Sequence, residues 1–353
     1  MNGSRKRVIV GMSGGIDSSL AAYLLKKEGY EPVGITLSLW EGGSRCCSEE
    51  DAVDARRVCR ILDIPHYTVC HTSRFKREVV DYFVGEYGRG RTPNPCVACN
   101  ERIKFKMLLS KAMEAGAHHI ATGHYARIDY DPHMGQYMLK KGVDASKDQS
   151  YFLARLPQRL LARILFPVGS LTKESARKMA KSVGLPVSEK EESQEVCFVK
   201  EGEQESFLEE RIGKRSGEIL DELGHVLGEH TGVYRFTIGQ RRGLGISKGA
   251  PLYVTSIDAG ANRVFVGPEE SLLRRTVLLE DVKLLAPSSG IRVSVTAKVR
   301  YAAPLAPASF EHTGETKAKV TFEGPQRAVA PGQLLVAYTG DTAYASGWIA
   351  SSR

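Results

Sequence analysis

The apolar run Val8-Ile9-Val10 breaks off into Gly11-Met12-Ser13-Gly14-Gly15-Ile16-Asp17-Ser18-Ser19, and an amphipathic helical segment follows. A strand, a glycine-rich turn and a helix start are thus set within a few residues. Glycine lets the backbone approach an oxyanion, serine hydroxyls add donors, and a helix N-terminus presents unpaired N–H groups with partial positive charge. The loop suits a phosphate or pyrophosphate. It carries no Gly-Lys-Ser/Thr to hold a β/γ-phosphate with magnesium, and no G-x-G-x-x-G. The kinase-type phosphate loop and the dinucleotide fingerprint are both set aside.

Strand and helix patterns alternate from this point to about residue 130. Strands are predicted at 8–10, 32–39, 66–69 and 119–121, and helices through 20–27, 49–62, 75–87 and 104–115. Ser48 is the predicted N-cap of the second helix, with Asp51 as its box partner. Further helices are predicted at about 151–164 and 173–183, the last stopped by Gly184-Leu185-Pro186. Such alternation predicts an α/β, doubly wound parallel sheet that binds ligands at the carboxyl ends of its strands. This first domain is placed at 1–200. A small central domain is expected at 201–267 and a C-terminal β-barrel at 268–353, where Val293, Val295, Ala297 and Val299 alternate with Ser294, Thr296, Lys298 and Arg300.

The formal net charge is +8, and it is unevenly spread. Residues 1–200 hold 31 Lys/Arg and 23 Asp/Glu, whereas 201–353 hold 18 of each. The excess lies on the phosphate-loop part, where a polyanion such as RNA would be steered, although solvated lysine faces give the same count. No apolar run approaches the ~18 residues of a membrane span. The run after Arg5-Lys6-Arg7 is too short for a signal peptide, so a cytoplasmic protein without a membrane partner is expected.

Seven cysteines (46, 47, 59, 70, 96, 99 and 197) in a chain of 353 residues make no small secreted disulfide framework. Cys46, Cys59 and Cys70 are expected as small buried hydrophobes. Cys99 follows the rigid, basic loop Gly88-Arg89-Gly90-Arg91-Thr92-Pro93-Asn94-Pro95-Cys96 and precedes a helix expected to begin near Glu101, with Arg102 and Lys104 close by. Positive potential there favours a thiolate.

The Ser13-Gly14-Gly15-Ile16-Asp17-Ser18 stretch resembles the PP-loop of ATP pyrophosphatases, which cleave ATP between its α and β phosphates to adenylate a carbonyl oxygen. Four further stretches follow in order. They are Thr92-Pro93-Asn94-Pro95 with Cys99-Asn100 and Ile103-Lys104-Phe105-Lys106, then Ala121-Thr122-Gly123-His124-Tyr125, Lys147-Asp148-Gln149-Ser150-Tyr151-Phe152-Leu153, and Gly239-Gln240-Arg241-Arg242-Gly243-Leu244-Gly245. Together the five resemble the bacterial tRNA-specific 2-thiouridylases, which replace O2 of the wobble uridine by sulfur.

The resemblance implies a PP-loop domain, a small central domain and a C-terminal β-barrel, with ATP and Mg2+ as cofactors and tRNA as partner. ATP would be bound by Gly11, Met12, Ser13, Gly14, Gly15, Ile16, Asp17, Ser18, Gly123 and Leu37, the last at a position where the family often has methionine. Asp17 would organise pyrophosphate and magnesium, or cap the helix. Cys99 corresponds to the family's nucleophile and Cys197 to its persulfide carrier, fed by a sulfur-donor or relay protein; inorganic sulfide is the other expected sulfur source. Asn94, Pro95 and Cys96, the turn Lys147, Asp148 and Gln149, and Arg300 with Tyr301 would contact tRNA. Lys147 and Arg300 suit phosphate and Tyr301 suits stacking, whereas a polar turn and an exposed strand face are the plainer readings.

Cys96 departs from the family, many of whose members have aspartate there. Two sulfur routes stay open. Cys96, Cys99 and Cys197 could ligate a [4Fe-4S] cluster with one iron open. Alternatively, Cys99 releases sulfur from a Cys197 persulfide and closes a transient Cys99–Cys197 disulfide. A structural zinc lacks a fourth ligand. A PP-loop enzyme with another carbonyl acceptor would need neither Cys99 nor Cys197, and an RNA-binding module with a vestigial loop would release no pyrophosphate.

Overall fold

The computed structural model describes residues 6–40, 49–187, 190, 196–200, 202–246, 250–287 and 290–353. Cys46, Cys47 and the expected cap Ser48 lie outside them. The chain divides into two compact units, one of Met1–Val80, Cys96–Lys200 and Asp341–Ala343, the other of Asp81–Pro95, Glu201–Gly340 and Tyr344–Arg353.

The first unit is built on a five-stranded parallel sheet. Its strands are β1 (Arg7–Gly11), β2 (Glu31–Ser38), β3 (His66–Cys70), β4 (His119–Ala121) and β7 (Ile164–Leu165), in the order β3-β2-β1-β4-β7. Val8, Ile9 and Val10 are fully buried, as befits a central strand covered on both faces. β1 pairs with β2 on one side and β4 on the other, so the crossovers diverge at its carboxyl end. That end is the topological switch point, and the glycine loop leaves from it. Helix α1 (Ile16–Lys27) buries Leu20, Ala21, Ala22 and Leu25 in a core shared with Val58 and Cys59 of α2 (Glu49–Ile61).

Several elements differ from the sequence pattern. The helix expected at 151–164 is two single turns, Ser150–Leu153 and Gln158–Leu161, followed by β7. Pro157 stands between the turns in an extended conformation and cannot donate to a continuing helix. A hairpin of β5 (Ala126–Asp131) and β6 (Gln136–Lys141), with the Tyr130 and Tyr137 rings 5.1 Å apart, is not among the expected elements. The helix expected from Glu101 begins instead at Pro95 and runs through a π-helical turn, Asn100–Lys104, into Phe105–Glu114. Proline suits a first helical position because its missing N–H would lack a partner there anyway.

The second unit holds the remaining strands. β8 (Gly217–Asp221), β9 (Val226–His230), β10 (Tyr253–Asp258) and β11 (Arg263–Gly267) form a sheet in the order β10-β11-β8-β9 around Ile219, Val254, Val264 and Val266. β12 (Leu273–Leu284), β13 (Arg292–Lys298), β14 (Ala306–Gly314), β15 (Lys317–Arg327), β16 (Leu334–Thr339) and β17 (Thr342–Ser352) form the barrel. It runs β12-β15-β14-β13-β16-β17 and closes through the β12–β17 pairing. Val295, Ala297 and Val299 face its core, as the alternation predicts. The helix Asp81–Gly88 belongs to this unit: Tyr87 Oη accepts from Gln204 Nε2 at 3.0 Å. Beyond it, Arg91 pairs with Glu86 and Glu280, and Thr92 N donates to Pro331 O.

Candidate nucleotide and sulfur site

The loop 11–18 is seated by backbone packing. Gly14 has φ +70°, and a Cβ there would lie 2.3 Å from the Asp51 carbonyl oxygen at the start of α2. Gly123, just beyond β4, approaches the first turn of α1 so closely that a Cβ would meet Ser18 N at 2.5 Å. Met12 N donates to Ile35 O at 2.8 Å, and Ser13 N donates to Ser18 Oγ at 3.2 Å. Met12, Ile16, Ser18 and Leu37 are buried and serve as scaffold, whereas Ser13 is exposed and Gly11, Gly15 and Asp17 are half-buried. Cys59, beneath the loop, is pushed up to about 12 by burial and acts as packing.

Asp17 does not cap its helix; the N-cap is Gly15. Its carboxylate accepts Lys173 Nζ at 2.8 Å on each oxygen and the Tyr125 hydroxyl at 2.8 Å. Lys173 opens the helix Lys173–Ser182, whose N-cap Thr172 accepts from Ser175 N. The Lys173 N–H reaches Asp144 at 2.9 Å, and Gln149 Oε1 accepts from Tyr125 N at 2.9 Å. A hydrogen-bonded circuit thereby joins Asp17 to both ends of the turn that holds Lys147, Asp148 and Gln149. Lys173, Tyr125 and Asp144 were not singled out in the sequence.

Both key cysteines are thiols anchored on one helical segment. Cys99 is buried and Cys197 half-buried. Three residues past Cys99, Arg102 donates to Glu78 O at 3.2 Å, while Asn100 Nδ2 donates to Phe152 O at 3.2 Å. Beside Cys197, the Phe198 ring packs edge-on against Phe75 at 5.6 Å and Trp40 at 6.2 Å. Phe75 and Glu78 belong to the continuous run Thr72–Phe75 and Lys76–Val80. Lys190, upstream of Cys197, bridges Asp51 at 2.8 Å and Asp54 at 2.6 Å.

Other expectations need correction. Among the described residues no group of three or more His, Cys, Asp or Glu side chains is gathered to hold a metal. Cys96 is exposed on the turn that buries Cys99, and a cluster on Cys96, Cys99 and Cys197 is not supported. Cys70 is exposed rather than buried, because β3 is the sheet's edge strand. Asp148 is buried and structural, accepting from Gly142 N, Ser150 N and Ser150 Oγ. In the second unit, Arg300 Nη1 donates to the carbonyls of Arg327 and Ala328, and Lys298 Nζ lies 5.3 Å from the centre of the Tyr301 ring. Lys147 and Asn94 are half-buried, and Pro95 is buried.

A parallel sheet with S-G-G-x-D-S at its switch point defines a PP-loop nucleotide-binding domain. Three family models match in order: the tRNA methyl transferase HUP domain over residues 6–201, the tRNA methyl transferase PRC-barrel domain over 205–268, and the aminomethyltransferase beta-barrel domain over 274–349. The tRNA-specific 2-thiouridylase MnmA of Geotalea uraniireducens (strain Rf4) is 47% identical over 99% of this chain and 96% of its own. The enzyme of the same name from Moorella thermoacetica is 47% identical over 97% and 99%. A solved 4-thiouridine synthetase–RNA complex with bound ATP overlaps 55% of this chain and 45% of its own, at 20% identity and TM-score 0.39. The chain belongs to the tRNA-specific 2-thiouridylase family. Among the described residues no helix is long and apolar enough to cross a membrane.

Proposed function

We propose that this protein uses ATP to replace O2 of the wobble uridine of tRNA by sulfur, with ATP and its magnesium entering as substrate at the loop 11–18. The uridine C2 oxygen attacks the α-phosphorus, the bond to the β-phosphate breaks, and pyrophosphate leaves. The resulting O-adenylate turns a poor leaving group into AMP. Cys197 carries the sulfur as a persulfide: its thiolate takes the outer sulfur of a donor protein's persulfide, and the donor leaves as a thiol. The Cys99 thiolate attacks Cys197 Sγ and expels hydrosulfide, leaving a Cys99–Cys197 disulfide for a thiol reductant to reopen. Hydrosulfide adds to C2, and AMP departs. The base must leave its stack to reach such a site. Asn94, Pro95, Cys96, Lys147, Gln149, Arg300 and Tyr301 are assigned to tRNA contact, and a tRNA substrate places the reaction in the cytoplasm.

The observation that carries this reading is the common anchorage of both cysteines: Cys99 is tied through Arg102 to Glu78, and Cys197 through Phe198 to Phe75. The test supplies unmodified tRNA, ATP and a persulfide donor protein, then measures 2-thiouridine, AMP and pyrophosphate. Cys197→Ser is expected to lose 2-thiouridine while still binding ATP. Thiolation at the wild-type rate by that variant would remove Cys197 from the sulfur route.

A further inference from the structure

Asn100 directly follows Cys99 and is only 3% exposed. It opens the π-helical turn Asn100–Lys104, a distortion of the kind that helices keep at functional sites. Its Nδ2 donates to Phe152 O at 3.2 Å, which settles which end of the amide is the oxygen. That leaves Oδ1 buried, and among the described residues no donor reaches it. An acceptor in that position gives up its hydration for nothing, and native folds keep few such atoms. Nor is the amide free to swing toward water. Arg155, 1% exposed, meets Glu101 Oε1 at 3.2 Å and fastens the same turn to the chain just beyond the helix Ser150–Leu153. A preset acceptor is thus held one residue from the nucleophile, against the helix that follows Lys147 and Gln149.

We propose that Asn100 Oδ1 accepts the N3–H of the target uridine and thereby selects uridine over cytidine. The proposal rests on the reading of the wobble uridine as substrate. N3–H is the one donor on the uracil ring, and it adjoins C2, where sulfur enters. Cytosine has a bare nitrogen there, so two acceptors would face each other with no proton between them. When O2 attacks phosphorus the ring loses electron density and N3–H becomes more acidic. The hydrogen bond therefore strengthens as the adenylate forms, which is where binding energy accelerates a reaction. Cys99 is itself 8% exposed, so a flipped base brought to the nucleophile uncovers both groups together.

The test follows ATP-dependent pyrophosphate release by the full chain on tRNA carrying uridine, 3-methyluridine or cytidine at the wobble position. The wild type should favour uridine over the other two by about 1,000-fold or more, because a site built for an N–H rejects analogues without one. Asn100→Ala should slow the reaction on uridine roughly tenfold or more and leave the rate on cytidine undiminished. Its urea midpoint should match the wild type, since the orphaned acceptor leaves with the side chain. A residue that only braces the turn gives the opposite pattern, a lower midpoint with equal losses on uridine and cytidine, and that result overturns the proposal. So does a variant that keeps the wild-type preference for uridine. If Asn100→Ala does not fold, the wild type still decides: equal rates on uridine and 3-methyluridine overturn the proposal, and rejection of 3-methyluridine upholds it. A wild type that releases no pyrophosphate on uridine tRNA overturns the reading of the substrate, and the proposal with it.

Discussion

The nucleotide end of the first unit is seated by backbone against backbone, and the sulfur end by ring against ring. Gly14 and Gly123 leave no room for a Cβ beside Asp51 and Ser18, whereas Cys197 is held by its neighbour Phe198 on Phe75 and Trp40. The difference follows from the two chemistries. Backbone N–H donors must meet phosphate oxygens within tenths of an ångström, and main-chain contacts define position that closely. In the proposed function Cys197 takes sulfur from a donor and gives it up to Cys99, and what holds it is ring packing rather than main-chain contact.

Three variants separate these two modes. The largest effect is expected from Gly14→Ala, which adds a methyl where φ is +70° and the Asp51 oxygen stands 2.3 Å away. ATP-dependent pyrophosphate release should fall roughly 100-fold or more, since displacing the loop by about 1 Å has that consequence. Near-normal release would show that the loop is not held rigidly. Phe198→Ala should act on the other end. Removing a ring that is 4% exposed costs about 3–5 kcal/mol in a urea titration. Thiolation should drop while ATP affinity in calorimetry stays within about twofold. A matching loss of ATP affinity would mean the two ends are one mechanical body.

The smallest effect concerns acid. His124, next to Gly123, sits between the Phe105 and Phe166 rings with Nδ1 2.7 Å from Thr122 Oγ1. Burial first, and the Lys104 charge second, hold its pKa well below the ordinary 6.5. The unfolded chain takes up a proton there that the folded chain refuses. Stability from this group is therefore complete above 6.5 and declines as pH falls from there toward the folded pKa. Urea midpoints at pH 7 and pH 5 should differ less in His124→Gln than in wild type. An unchanged difference would assign the acid sensitivity elsewhere, with His66 and His119, also lowered by burial, next in line.

The loop, the parallel sheet around it and the closed barrel were readable because each leaves a local signature: glycines after an apolar run, alternating elements, and a period of two. β7 has two residues and offers no period to detect. In the hairpin β5–β6 the first strand does alternate, Ala126, Ile128 and Tyr130 against Arg127, Asp129 and Asp131, and was overlooked; the second, Gln136–Lys141, sets Met138 beside Leu139 and shows no such period. Lys173 escaped notice because its partner lies far away in sequence. One signal was present: a lysine directly after the cap Thr172 runs against the helix dipole, and a residue that breaks a local rule often answers to a distant site. The three cysteines illustrate the reverse error, since a ligand-like spacing says nothing about which side chains meet.

Asp51 meets Gly14 with its carbonyl and grips Lys190 with its carboxylate. One residue at the start of α2 thus seats the phosphate loop through its main chain and holds a later stretch of chain through its side chain, so a change confined to the side chain, such as Asp51→Asn, loosens the second grip and leaves the first in place.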